Sequence, residues 1–331
     1  MKAEKCILLY SGGLDSLLTA KILLDQGIDV TGLHCILPYY QPDLDPEQLK
    51  ESISAKKIGL KLLHYRCGED YIAMLKNPPH GYGKHINPCI DCKIFFIKKA
   101  AEMMIETGAS FVATGEVVGQ RPMSQHRDTL NLIENSTLKG RLLRPLSAKL
   151  LTPTIPETEG IIDREKLYDI SGRGRTRQIE LAKSLGIKDF ASPAGGCLFT
   201  DRYIAARIKD LLKNNPDFTQ SDLYLLKIGR HFRINPSLRI IASKSELDTL
   251  ELEKYEKNAD YFFKPDFKGP SVYVKGKLDE ENINLINSIV CRYGKPSPEC
   301  DTINIYSDGK LYREISTLEP ISDSELEQFR I

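Results

Sequence analysis

Residues 6 to 10, Cys-Ile-Leu-Leu-Tyr, form an unbroken apolar run, the pattern of a short strand covered on both faces. The run stops at Ser11-Gly12-Gly13. From Ser16 to Asp25 the apolar period changes, and Leu17, Leu18, Ile22, Leu23 and Leu24 share one broad helical face. Val30 to Leu37 reads as a second parallel strand one βα unit later, and residues 60 to 67 as a third after a helix around 46 to 58. The Pro- and Gly-rich residues 77 to 88 read as a loop. A helix is predicted from Ile90 to Glu106, a fourth strand from Ser110 to Thr114 and a fifth from Arg141 to Arg144. This alternation predicts a Rossmann-like, doubly wound parallel sheet with its ligand beyond the carboxyl ends of the strands. The turn at 11 to 16 and the stretch at 114 to 116 both lie at such ends, so they are expected to meet in one crevice.

After about residue 160 the pattern changes. "SGRGRTRQIELAKSLGIKDF" reads as a basic loop and one helix, and "SPAGGCLF", residues 192 to 199, as a loop. Beyond residue 220 come short strand-like segments, "LYLLKIGRHFRI", "LRIIASK", "YFFKPDF", "SVYVKG" and "INIYSDGKLYREI", which predict a smaller C-terminal α+β domain. The expected division is 1–165 for a nucleotide domain, 166–220 for an extension, and 221–331 for the small domain. No internal repeat is present.

Two compositional facts narrow the function. Net charge is only +1, from 46 basic and 45 acidic residues, so any nucleic-acid surface must be local. The eight cysteines accompany no secretory signal and no membrane-length apolar run, which points to a reducing cytoplasm and to free thiols or ligands.

The candidate chemistry lies in two places. The turn at Ser11 to Ser16 offers unpaired backbone N–H groups at a helix start, a ready anion site, but no Gly-Lys-Ser/Thr follows to make a Walker A loop. Cys89 and Cys92 form a Cys-x-x-Cys where the helix dipole is expected to lower a thiol's pKa, and Cys197 follows the flexible Ala194-Gly195-Gly196. With His80 and His85 nearby, zinc is a competing reading. The other five cysteines are scattered and read as small buried hydrophobes or inert thiols. Residues 202 to 245 carry nine basic side chains against three acids, with Tyr203, Tyr224 and Phe232 between them, a pattern suited to phosphates and bases. A second basic group is Arg164, Arg173, Arg175 and Arg177.

Ser11-Gly12-Gly13-Leu14-Asp15-Ser16 resembles the SGGxDS signature of the PP-loop ATP pyrophosphatases, the adenine-nucleotide α-hydrolase group. "NPCIDCK" and "SPAGGCLF" are similar to segments of tRNA 2-thiouridine synthases, and "TGEVVGQRPMSQHRDTLNL", residues 114 to 132, to one of tRNA 4-thiouridine synthases. The last third, with "KIGRHFRI" and "KGPSVYVKG", resembles the RNA-binding domain of NFACT proteins. The resemblance implies a cytoplasmic tRNA thiouridine synthase that adenylates a uridine oxygen with ATP and then replaces it with sulfur. Ser11, Gly12, Gly13, Ser16 and Gly115 would hold the nucleotide, and Asp15 would orient Mg2+ or a neighbouring group. Cys92 and Cys197 would be the catalytic pair; with Cys89 they would alternatively hold a [4Fe–4S] cluster. The implied partners are tRNA, a sulfur donor (sulfide or a persulfide-carrying protein) and a second copy of the chain. Unlike the 4-thiouridine synthases, the sequence shows no THUMP domain before the PP-loop and no rhodanese domain after it. Two other readings stay open, a PP-loop ligase or amidotransferase acting on a small molecule, and a non-catalytic RNA-binding protein.

Overall fold

A computed structural model describes residues 3–190 and 197–331, and the chain separates into two compact units, Met1–Thr200 and Asp201–Ile331. The first unit runs β1 (Lys5–Leu9), α1 (Leu14–Asp25), β2 (Asp29–Ile36), α2 (Lys50–Lys57), β3 (Lys61–Arg66), α3 (Glu69–Lys76), α4 (Cys89–Thr107), β4 (Phe111–Thr114), α5 (Arg127–Asn135), β5 (Leu142–Leu143), α6 (Ile155–Thr158) and α7 (Thr176–Ser184). Its strands lie in the order β3-β2-β1-β4-β5, and every neighbouring pair is parallel. This is the doubly wound sheet that the alternating pattern predicts.

β1 shows why its sequence is apolar without a break. Cys6, Leu8 and Tyr10 pack with Leu17 and Leu18 of α1 and Ala182 of α7. Ile7 and Leu9 face the other way, toward Ile97 and Ala100 of α4 and Ile133 of α5. With helices on both faces, every position of the strand leaves water, and burying each large side chain contributes about 1.5–3 kcal/mol. The order also splits the chain at β1: β2 lies on one side and β4 on the other, which opens a crevice at their carboxyl ends. α3 and α5 were not expected. In α3 only Tyr71, Ile72 and Leu75 are buried, too short an apolar stripe to stand out from flanking loops.

The second unit comprises α8 (Arg202–Asn214), α9 (Gln220–Leu225), β6 (Arg230–Asn235), β7 (Leu238–Ala242), α10 (Glu246–Glu253), β8 (Tyr261–Pro265), β9 (Val272–Lys275), α11 (Glu280–Tyr293), β10 (Thr302–Ser307), β11 (Lys310–Ser316) and α12 (Asp323–Leu326). Its antiparallel sheet has the order β11-β10-β8-β9-β7-β6. Each of the five strand-like segments contains a strand, but the first three residues of "LYLLKIGRHFRI" belong to α9. α11 went unread: its Ile283, Ile286, Ile289 and Val290 pack on Phe263, Val272, Val274, Ile303 and Ile305 to close the core. Between β10 and β11 the chain reverses at Asp308 and Gly309, both with positive φ, the pair a tight hairpin favours. Among the described residues no helix is long and apolar enough to cross a membrane.

Candidate active site

The turn after β1 is built to leave its amides open. Gly13 is the N-cap of α1 and no side chain caps the helix, so the first N–H groups keep room for an anion. The Ser16 hydroxyl donates to Gly13 O at 2.9 Å, accepts from Ser11 N at 3.3 Å and lies 3.4 Å from the Ser11 hydroxyl. Gly12 sits at φ +67°, and a Cβ there would come within 2.9 Å of Glu51 Cγ, so α2 packs directly against the turn. Ser11, Gly12, Gly13 and Ser16 thus form one cradle. Asp15 is held by residues outside the turn: Oδ2 accepts from Gln120 Nε2 at 3.1 Å and lies 3.7 Å from Arg175 Nη2, while Oδ1 is buried with no partner. A buried, orphaned carboxylate oxygen beside an anion cradle is costly unless a cation completes it, so the donor set fits Mg2+.

The stretch after β4 reaches from this turn toward the thiols. At Gly115 a Cβ would lie 2.7 Å from Asp15 C and Ser16 N, so the two backbones touch because this residue has no side chain. Glu116 is almost fully buried and meets Arg144 Nε at 3.2 Å, Lys93 Nζ at 3.5 Å and the Thr114 hydroxyl at 3.2 Å. Burial alone would raise its pKa, but the charges of Lys93 and Arg144 and the hydrogen bonds hold it below its ordinary value of 4.5. Lys93 follows Cys92, so the ion pair ties the Cys-x-x-Cys helix to the end of β4. Four residues on, Gln120 holds Asp15 while Arg121 lies close enough to Cys197 to lower its pKa. Sequence reasoning missed Glu116, Gln120 and Arg144. The polar residues of "TGEVVGQRP" were the available signal.

This network carries a stability prediction. Glu116→Ala strips the buried Arg144 of one of its two carboxylates, Glu134 remaining at 2.8 Å, and breaking such a pair costs about 3–5 kcal/mol. The urea midpoint should fall accordingly. Because the folded pKa is depressed, the wild-type contribution is full above the unfolded value near 4.5 and is lost as pH falls through the folded value. The variant should lack that part of the acid dependence.

Cys89 opens α4 and Cys92 follows one turn later. At Cys92 the expected low thiol pKa is not found. The Cys92 thiol is pushed up to about 12, by burial first and then by Cys197 and Cys89, against a hydrogen bond with the Tyr71 hydroxyl at 3.1 Å that favours the thiolate. For Cys197 burial again raises the pKa, against the Phe199 backbone N–H and Arg121, and Cys89 adds to the rise. The helix dipole is therefore outweighed by desolvation, and neighbouring cysteines further disfavour the thiolate form. Residues a hundred positions apart in sequence thus lie near enough to act on one another electrostatically. Ala194, Gly195 and Gly196, to which the sequence assigned the mobility of this loop, lie outside the described residues. Asp91, between Cys89 and Cys92, is buried and accepts from His80 N at 3.0 Å and His80 Nδ1 at 2.7 Å, which fastens the 77–88 loop to the start of α4. Among the described residues no three His, Cys, Asp or Glu are gathered as ligands of a single metal ion. A [4Fe–4S] cluster spreads its three thiolates around a cube, and in number and kind Cys89, Cys92 and Cys197 fit that donor set.

In the second unit the basic run divides. Arg233 forks onto Asp210, Arg239 is buried on Asp222, and Arg207 donates to the Leu226 and Gly229 carbonyls. Tyr224 and Phe232 are buried, so of the three interleaved aromatics only Tyr203 is exposed, with the Arg202 guanidinium over its ring. Arg202, Lys209 and Lys213 remain exposed, at positions that share one face of α8.

Comparison with known proteins follows the same two units. Residues 1–149 match the family model described as thiamine biosynthesis protein (ThiI), and residues 229–330 match that of the NFACT protein RNA binding domain. The chain is 32% identical to the tRNA-specific 2-thiouridylase MnmA of Treponema denticola over 34% of its own length and 32% of that protein's. It therefore spans about a third of that relative. To the protein of the same description from Marinomonas sp. it is 24% identical, over 96% of this chain and 85% of the other. Among solved structures, a 4-thiouridine synthetase–RNA complex with bound ATP is similar at 20% identity with a TM-score of 0.38, covering 67% of this chain and 53% of that one.

Proposed function

We infer that the chain is an ATP-dependent tRNA thiouridine synthase of the PP-loop group, a ThiI-type nucleotide domain joined to an RNA-binding domain of the NFACT kind. The observation that carries the reading is the tie between an open anion cradle and the Cys-x-x-Cys helix through the single segment 114–121, where Gly115 touches the turn, Gln120 holds Asp15 and Glu116 pairs with Lys93 beside Cys92. A ligase acting on a small molecule would have no use for the second half of that arrangement.

ATP would place its pyrophosphate on the open amides of residues 11 to 16, with the Ser11 and Ser16 hydroxyls turned to donate. A uridine carbonyl oxygen attacks the α-phosphorus, the bond to the bridging oxygen breaks and pyrophosphate leaves. Fixed N–H dipoles and Arg175 meet the charge that develops. Mg2+ at Asp15 would supply further neutralisation of that charge; Gln120 and Arg175 hold the carboxylate in place. The uridine carbon now carries AMP as its leaving group. A persulfide on Cys92 or Cys197, loaded by a donor, attacks it with its terminal sulfur and AMP departs. The other thiol of the pair then attacks the inner sulfur, the S–S bond breaks, and thiouridine leaves behind a Cys92–Cys197 disulfide. Tyr71 fixes the Cys92 sulfur by its hydrogen bond. A [4Fe–4S] cluster on Cys89, Cys92 and Cys197 would instead supply an open iron that carries sulfide. Both routes belong in the cytoplasm, where thiols stay reduced.

The test is nucleoside analysis of tRNA incubated with the chain, ATP and either sulfide or a persulfide. Thiouridine should appear with equal pyrophosphate, and pyrophosphate released without any tRNA would overturn the reading. Binding gives a second expected outcome. Changing Arg202, Lys209 and Lys213 together to Glu should weaken tRNA affinity more than about tenfold at low salt and lower the salt slope by about one per lost phosphate contact.

A further inference from the structure

We propose that Tyr40 is a stacking platform for a base that flanks the target uridine, holding the tRNA strand open at the mouth of the site. The proposal rests on the thiolation reading above. β2 runs on to Ile36, past Leu33, whose carbonyl accepts from Tyr10 N at 2.9 Å. The chain then turns over Leu37 to Tyr40, with Tyr40 N donating to Leu37 O at 3.0 Å. In a sheet whose neighbouring strands are all parallel, this turn lies at the same edge as the anion turn after β1 and the stretch after β4. It presents two tyrosines.

Their rings extend a short ladder. Tyr39 stacks on Tyr40 with centroids 5.4 Å apart and planes 26° from parallel, and it meets Phe199 edge-on at 5.8 Å and 88°. Phe199 is buried in the turn that carries Cys197, whose carbonyl accepts from Thr200 N at 2.8 Å. The inner end of the ladder is therefore fixed beside Cys197, while at the outer end Tyr40 remains 36% exposed. Burial first, and then the charge of Glu51, raise the pKa of the Tyr40 phenol; Glu51 is the residue that packs against Gly12.

The spacing selects the occupant. With Tyr39 between them, a base on the far face of Tyr40 stands a ring farther from Phe199 than the uridine whose carbon must meet sulfur. It is in place for that uridine's neighbour. A uridine in folded tRNA has to leave its stack before its oxygen can reach the α-phosphorus, and leaving breaks contact with the bases on either side. An aromatic face takes up one of those bases whatever its identity, and it covers neither base's edge. Tyr82, also exposed in this unit, is instead tied down by its hydroxyl, which donates to Leu75 O at 2.6 Å.

Steady-state thiolation by the full chain separates stacking from packing. Tyr40→Leu keeps apolar bulk against Tyr39, yet it should raise the KM for tRNA about tenfold with kcat and the salt slope nearly unchanged. Tyr40→Phe should behave as wild type. A Tyr40→Leu protein that matches Tyr40→Phe overturns the proposal. Fluorescence reads the position of the base. The chain contains no tryptophan, so Tyr40→Trp adds a sole reporter. Its emission should be quenched by the tRNA in which the thiolated uridine has been mapped. The quench should persist when that uridine is made abasic and disappear when one of its two neighbours is. No quenching, or quenching that neither neighbour controls, overturns the proposal. A wild-type chain that makes no thiouridine has failed the thiolation reading itself, and the proposal falls with it.

Discussion

Cys197→Ala should abolish tRNA thiolation, by at least about a thousandfold, while tRNA-dependent release of pyrophosphate stays within about twofold of wild type. The two halves of the reaction use different parts of the site. Adenylation draws on the amides and hydroxyls of residues 11 to 16 and on Asp15, none of which the substitution touches. Sulfur transfer needs a second thiol beside Cys92, and Cys197 is one that acts on it electrostatically. Cys92→Ala should behave the same way. Cys89→Ala separates the two sulfur routes, because a dithiol does without it and a cluster does not. Retained thiolation with Cys89→Ala, set beside iron content, therefore assigns the route, while a Cys197→Ala protein that still thiolates would remove the catalytic role of the trio.

The first unit was legible because a doubly covered strand leaves an unmistakable trace. Cys6 to Tyr10 had to be apolar at every position, and the observed β1 differs from the reading by one residue at each end. The Cys-x-x-Cys was placed correctly at a helix start, but its electrostatics were not. A dipole argument needs an exposed thiol, and exposure is decided by tertiary packing around Tyr71 and Phe199 that no local pattern encodes. The same limit hid Glu116 and Arg144. The basic run of the second unit failed for a related reason: a sequence shows that Arg233 and Arg239 are charged, not that Asp210 and Asp222 face them.

Gly115→Ala should weaken ATP binding more than about tenfold, at least about 1.4 kcal/mol, and also lower the stability of the fold. The added methyl would meet Asp15 C and Ser16 N at 2.7 Å and Asp15 O at 2.8 Å. These are backbone atoms of the anion turn, so no rotamer change relieves the clash; β4 or the turn must move, at a cost of about 1–3 kcal/mol. Any such movement shifts the N–H groups that converge on the phosphates, and hydrogen-bond energy falls steeply with misalignment. Gly27→Ala is the control. At φ +78° it carries backbone strain, yet its Cβ would meet nothing within 4 Å, so it should cost about 1–2 kcal/mol of stability and leave ATP affinity alone. Calorimetric titration with a non-hydrolysable ATP analogue, alongside urea unfolding of both variants, separates the two effects. If Gly115→Ala loses stability as Gly27→Ala does but binds the analogue like wild type, the contact between residue 115 and the turn is packing only, and the crevice at β1 and β4 is not where the nucleotide sits.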